Sequence, residues 1–361
     1  MPTATQEGAA RSVRAGRRTT RRAARNRRAA WTLVVLTPLV SELALGSTPV
    51  RMAWLVLLWM PVYGAGVLLV RELVTRRGRG WPSILLLGLA HELVEDGIGL
   101  QALTSPHLYD AASWGARVLG VNLPYWEANA VYHVVFTVAV PIALTELLFP
   151  GHRGRPWLGP TGTTVAGVVA LLGLGLLRVS VPPSEDPGSQ APLPFVLGVV
   201  AVVVVLGVLA LVVVPPRAAA ATATDVPASG AGTPSPVVLA ALGAGATLLF
   251  VGLSFPLFGA DQPAGTHGMV VLVPMALTLL LAVGTYRYVT TRAAGPAWTD
   301  RHTLGLVGGA LVGHTLGGAA AVSHATVDRV GLAVIAVLTV VAVLTLDRRL
   351  RRRAVATPRA A

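Results

Sequence analysis

Apolar residues fall into ten long runs, at residues 30–47, 52–73, 81–101, 126–149, 158–178, 193–215, 237–258, 268–290, 303–323 and 328–347. Each run is near the ~20 residues that an α-helix needs to cross about 30 Å of hydrocarbon. Turn and breaker residues divide them: Gly78 and Gly80 among arginines, Pro182 with Pro183, Pro215 with Pro216, and Gly295 with Pro296. This pattern predicts an all-α, polytopic helical membrane protein of about ten transmembrane helices. The first run is the shortest, and Pro38 interrupts it.

The polar positions inside the runs are as informative as the apolar ones. The third run contains His91, Glu92, Glu95 and Asp96. One acidic residue at the bilayer centre costs roughly 2.5–3.5 kcal/mol on insertion scales, so such residues face other helices or water, and they mark candidate functional sites. On a regular helix at about 100° per residue, all four share one arc, and Gly88 and Gly99 lie within it. In the fourth run Asn129, His133, Thr137 and Pro141 recur every four residues and form a stripe. Measured from the far ends of their runs at 1.5 Å per residue, Glu42, Glu95, Asp96 and His133 all lie roughly 8–10 Å deep. The pattern therefore places them in one cluster in the outer third of the membrane, with His91 and Glu92 nearer its middle. His314, in an otherwise Gly- and Thr-rich run, reads as a packed neutral histidine. Arg71, Glu72 and Glu146 stand at helix ends, where pairing or snorkelling is expected.

Charge changes the picture by fixing direction. The 361 residues are 53% hydrophobic and 12% charged, about half the usual charged fraction, with a formal net charge of +13. All 29 basic residues are arginine. Alternating the spans puts 25 of them on one side and four (Arg51, Arg117, Arg178 and Arg329) on the other. By the positive-inside rule both termini are cytoplasmic, and the expected location is a bacterial plasma membrane. Nine arginines in residues 1–28 and six in 348–361 suit the lipid bilayer, with anionic lipid headgroups as partners. No aromatic residue interleaves them, so nucleic acid is not an expected partner. Residues 1–46 read as a tail and anchor helix rather than a cleaved signal. The absence of cysteine excludes disulfides and thiolate metal sites. The expected divisions are an Arg-rich tail at 1–29, a polar membrane half at 30–150, a mostly apolar half at 151–347 and a basic tail at 348–361. Residues 218–236 read as a flexible linker, and residues 104–125, with Trp114, as an interfacial helix leading into Tyr125 and Trp126.

Two partial motifs bear on chemistry. His91, Glu92 and Glu95 approach the zincin pattern His-Glu-x-x-His, but Glu95 stands at the second histidine. No metal and no cofactor are therefore expected. Glu95 and Asp96, followed by His133 one helix later, resemble the CAAX-type intramembrane proteases. That likeness implies Glu95 as general base with His133, although Leu100 stands where that pattern has arginine. A more specific likeness runs over residues 35–150. It is carried by Ser41-Glu42-Leu43, Gly46-Ser47-Thr48-Pro49, the stretch from Tyr63 through Arg71-Glu72-Leu73, the stretch from Gly80-Trp81-Pro82-Ser83 to Gly88, Val94-Glu95-Asp96-Gly97 and Pro141 to Pro150. Through these the chain resembles an uncharacterised family of prokaryotic multi-span integral membrane proteins, which implies membrane location and no particular activity.

The leading expectation is a proton- or ion-coupled permease for a small solute. In it Glu42, Glu92, Glu95, Asp96 and His133 bind the ion or proton, supported by His91 and Asn129. The alternatives are an intramembrane hydrolase using Glu95 and His133, and a non-catalytic membrane scaffold. Neither the substrate nor whether the protein is an enzyme follows from the residues.

Overall fold

The computed structural model describes residues 27–109, 115–217, 232–254 and 268–356. The Arg-rich stretch 1–26, most of the linker, Trp114 and residues 357–361 lie outside the described residues. Ten long helices are present among those described. They are α1 (residues 27–43), α2 (Val50–Arg76), α3 (residues 81–99), α4 (Leu123–Leu148), α5 (Pro160–Glu185), α6 (Leu193–Val213), α7 (Pro236–Ser254), α8 (Gly268–Ala293), α9 (Asp300–Ala321) and α10 (Thr326–Ala356). Each matches one predicted run. Eight are long and apolar enough to cross a membrane. The other two are α1 and α3. At 1.5 Å per residue the described part of α1 spans about 26 Å, and α3 carries three carboxylates. The protein is thus a polytopic all-α membrane protein.

Lipid reverses the usual sorting of side chains, because apolar residues cost nothing at the periphery and polar ones must turn inward. Accordingly, 67% of the apolar stretch of α9 and 61% of that of α4 are buried, against 17% in α5, α6 and α10 and 11% in α8. The inner helices carry many of the buried polar residues: Thr37 and Ser41 on α1, Glu92, Glu95 and Asp96 on α3, His133 and Thr137 on α4, and His314 and Thr315 on α9. Small residues let α9 enter the interior. A Cβ on Gly309 would lie 1.9 Å from the Ala240 carbonyl oxygen of α7, so only glycine fits at that crossing.

Polar contacts tie the helix ends into two layers. At one end Arg76 donates to the Leu158 carbonyl and Arg79 to Leu211, while Arg153 pairs with Asp300 at 2.8 Å and Arg301 with Asp347 at 2.6 Å. At the other, Arg51 pairs with Asp328 at 2.5 Å, and the Ser105 hydroxyl donates to Asp186. The predicted alternation of arginine-rich and arginine-poor ends is present in this arrangement.

The arginine-rich end also holds a buried ion cluster. Arg71 is 1% exposed, so it pairs rather than snorkels. Its Nη1 lies 3.0 Å from Glu72 Oε1 and donates to the Arg155 carbonyl at 2.7 Å. Its Nη2 lies 3.5 Å from Glu146 and donates to the His152 carbonyl at 3.3 Å. The guanidinium stacks 3.6 Å from the centre of the Trp157 ring. Glu72 in turn accepts the backbone N–H groups of Trp157 at 2.7 Å and Leu158 at 3.2 Å. One ion pair thereby anchors the whole α4–α5 connection.

The residues expected as an interfacial helix before α4 lie partly outside the described residues, Trp114 among them, and those next to α4 are not helical. Instead, Arg117–Val118 and Val121–Asn122 form a two-stranded antiparallel hairpin. Its tight turn has both central residues at positive φ, Leu119 at 51° and Gly120 at 85°. Asn122 then caps α4 by accepting the Tyr125 N–H at 3.1 Å, so Tyr125 and Trp126 belong to the first turns of α4.

Candidate functional site

Four stretches of π-helix build the polar site. Leu39–Leu43 carries Glu42, Met60–Ala65 carries Tyr63, Leu93–Gly99 carries Glu95 and Asp96, and His133–Ala139 carries His133 and Thr137. A π turn bonds residue i to i+5, and such turns occur mostly as local bulges, frequently at functional sites. Local sequence accounts for three of them. Proline lacks an N–H and crowds the carbonyl four residues before it, which disrupts the regular ladder. Pro38 precedes the first stretch, Pro61 lies inside the second, and Pro141 follows the fourth. The stretch in α3 has no proline, but it contains Gly97 and Gly99.

These bulges bring Glu95, Asp96 and His133 together. One ligand atom from each lies within 4.8 Å of the other two, and the three residues are 1%, 1% and 5% exposed. Glu95 Oε2 is 3.5 Å from His133 Nδ1 and 3.9 Å from His91 Nε2. Thr137 Oγ1 lies 3.0 Å from the same His133 nitrogen. The Tyr63 side chain faces both Glu42 and Glu95, and its ring lies 6.1 Å from that of His133 and 6.4 Å from that of His91. Gly66 makes room for His91, because a Cβ there would come within 2.7 Å of the imidazole.

The cluster is short of donors. Both oxygens of Glu95, both of Glu92 and Oδ2 of Asp96 are buried without a hydrogen-bond partner, as is His91 Nε2. Among the described residues no arginine pairs with Glu92, Glu95 or Asp96, and the groups that approach Glu95 are the two histidines and Tyr63. A buried carboxylate without compensation is costly. The arrangement can therefore accept protons or a cation, or orient a water molecule between carboxylate and imidazole.

The other expected site residues are more dispersed. Glu42 is only partly buried, and its Oε2 accepts Ser47 at 3.0 Å and Thr48 at 3.3 Å. It approaches the cluster through Tyr63. Glu92 is fully buried but turns toward Trp126, whose indole N–H completes no hydrogen bond with it. Asn129 donates to the Tyr125 carbonyl at 2.9 Å, as a helix-internal contact.

Several residues escaped sequence reasoning. Tyr63 and Tyr132 are buried tyrosines within spans, and a buried tyrosine hydroxyl needs a polar partner, which is the one signal that could have flagged them. Tyr132 donates to the Ser41 carbonyl, its hydroxyl lies 3.2 Å from His314 Nε2, and its ring packs edge-on to His133 at 5.3 Å. His314 is fully buried and stacks on Phe136 at 4.3 Å between ring centres, as expected for a packed histidine. An apolar cavity of about 250 Å³ lies between α2, α3, α5 and α6. Val62, Leu69, Leu87, Leu174 and Val203 line it, and it ends at His91 and Glu95.

Over residues 32–361 the chain matches the sequence model of a family described as an uncharacterized membrane protein family, and it belongs to that family. No curated protein and no solved structure matches it. The likeness to CAAX-type proteases gains no support from these comparisons.

Proposed function

We propose that this member of the family is a proton- or ion-coupled permease for a small solute. Glu95 and Asp96 form its ion-binding centre, with His133 as relay partner and Glu42 and Glu92 at the margins. In this reading the arginine-rich end faces the cytoplasm and the cluster lies toward the outer face of the plasma membrane. The observation that carries the proposal is the set of buried, unpartnered carboxylate oxygens on Glu95 and Asp96. A carboxylate whose oxygens are filled by an arginine and backbone N–H groups, as in Glu72, has little left to offer an ion. An unpaired one in low dielectric gains strongly from a proton or cation, so its occupancy is coupled to the surrounding packing. The cavity that has His91 and Glu95 in its lining leaves open space beside the cluster. In proteoliposomes bearing an ion gradient, the purified protein is expected to carry protons or solute, and Glu95→Gln to abolish that flux. Flux unchanged by Glu95→Gln would overturn the reading.

One observation favours a second reading, an intramembrane hydrolase: His133 Nδ1 stands 3.5 Å from Glu95 Oε2. In that mechanism Glu95 takes a proton from a water molecule, the resulting hydroxide adds to a carbonyl carbon, and the proton passes to the leaving group as the scissile bond breaks. Cleavage of a membrane peptide or lipid ester that disappears in both Glu95→Ala and His133→Ala would select this reading over transport.

A further inference from the structure

We infer that Glu95, Asp96 and His133 are the ligands of a divalent transition-metal cation, in the class of Mn²⁺ or Zn²⁺. The inference rests on the reading above that this cluster binds an ion, and it names the ion's chemistry. Two carboxylates and one imidazole form a mixed oxygen and nitrogen set. Imidazole suits transition metals, whereas Mg²⁺ and Ca²⁺ sites use oxygen. Ligands about 2.1 Å from one ion lie roughly 3–4 Å apart. The Glu95–His133 separation of 3.5 Å already falls in that range. The 4.8 Å limit on the whole triad leaves an adjustment of about an ångström, within reach of carboxylate rotation.

Charge and burial point the same way. A divalent ion neutralises two carboxylates that have no arginine beside them, and it occupies oxygens that lack donors. His91 is a separate indication. It is not one of the three ligands, its side chain is 10% exposed, and its unpartnered Nε2 is directed at Glu95 from 3.9 Å. A water bound to the metal would give that nitrogen its missing partner. Tyr63, facing Glu95, is placed to orient that ligand from outside.

The test uses the full chain purified in detergent. The protein is stripped with a chelator, incubated with MnCl₂ or ZnCl₂, and desalted, and its metal is counted by mass spectrometry. Wild type is expected to retain about one ion per chain and to regain on reloading the thermal stability lost on stripping. Retention should fall at least about tenfold in Glu95→Gln, Asp96→Asn and His133→Ala, and not in Asp300→Asn, which lies outside the cluster. If a variant fails to fold, stripping and reloading of wild type alone still decides. Wild type without bound metal, or equal retention in all variants, would overturn the inference. A wild type that binds no metal but shows Glu95-dependent flux refutes the metal and leaves the permease standing. Metal binding without flux does the reverse.

Discussion

Two clusters of buried charge occupy this bundle, and they differ in what their charges touch. At the arginine-rich end Arg71 meets Glu72, Glu146, two carbonyls and the face of Trp157, and Glu72 accepts two backbone N–H groups. Apart from Arg71 Nε, every polar atom of that pair is engaged. In the other cluster Glu92, Glu95 and Asp96 are equally buried, yet five of their six carboxylate oxygens have no partner. Burial alone therefore does not separate a satisfied charge from an unsatisfied one. The satisfied cluster closes a loop on a helix bundle. The unsatisfied one retains binding capacity, and the fold bears its cost.

Substitutions sharpen this contrast. The largest effect is expected for Arg71→Ala, which takes the buried cation from between Glu72 and Glu146, leaving them only the more exposed Arg76 and Arg153, and leaves two carbonyls without a donor. A loss of about 3–5 kcal/mol follows from breaking a buried pair on one side, to be read as a collapse of the thermal unfolding transition in detergent. Glu95→Gln should behave oppositely. In protein stripped of metal it replaces a buried carboxyl whose oxygens accept no hydrogen bond, so stability should stay within about 1 kcal/mol of equally stripped wild type or rise, while the proposed transport is lost. If Glu95→Gln destabilised as much as Arg71→Ala, the two clusters would be alike and the site structural.

The smallest effect lies outside the membrane, at Asp186. Burial alone would raise its carboxyl, but hydrogen bonds from the Ser105 hydroxyl and the His107 N–H outweigh this and hold it below the ordinary aspartate value. A depressed native value stabilises the fold above the ordinary aspartate value. That stabilisation is lost as pH falls through the native one. Thermal stability should therefore drop at acid pH more steeply in wild type than in Asp186→Asn, and matching acid profiles would refute the link.

Hydropathy made the spans legible because crossing the hydrocarbon demands about 20 apolar residues wherever a helix passes. Predicted and observed ends agree within a few residues for most helices, as for 193–215 against Leu193–Val213. The candidate site was legible only in part. Glu95, Asp96 and His133 stood out by their cost in lipid, and equal depth from the span ends proved sufficient to pair α3 with α4. The helical wheel, however, assumed regular turns. With π turns in both helices it could not separate Glu92, which turns to Trp126, from Glu95 and Asp96, which turn to His133. Tyr63 and Tyr132 were invisible because their roles depend on partners from other helices.

What the sequence by itself determined is the class, the number and limits of the helices, and which residues are too polar to face lipid, because each of these follows from transfer free energy along one segment. Only the tertiary structure decided which polar groups find partners. That depends on where helices distant in sequence cross: Trp157 and the carbonyls of the α4–α5 connection reach Arg71 and Glu72, while no comparable donor reaches Glu95 and Asp96.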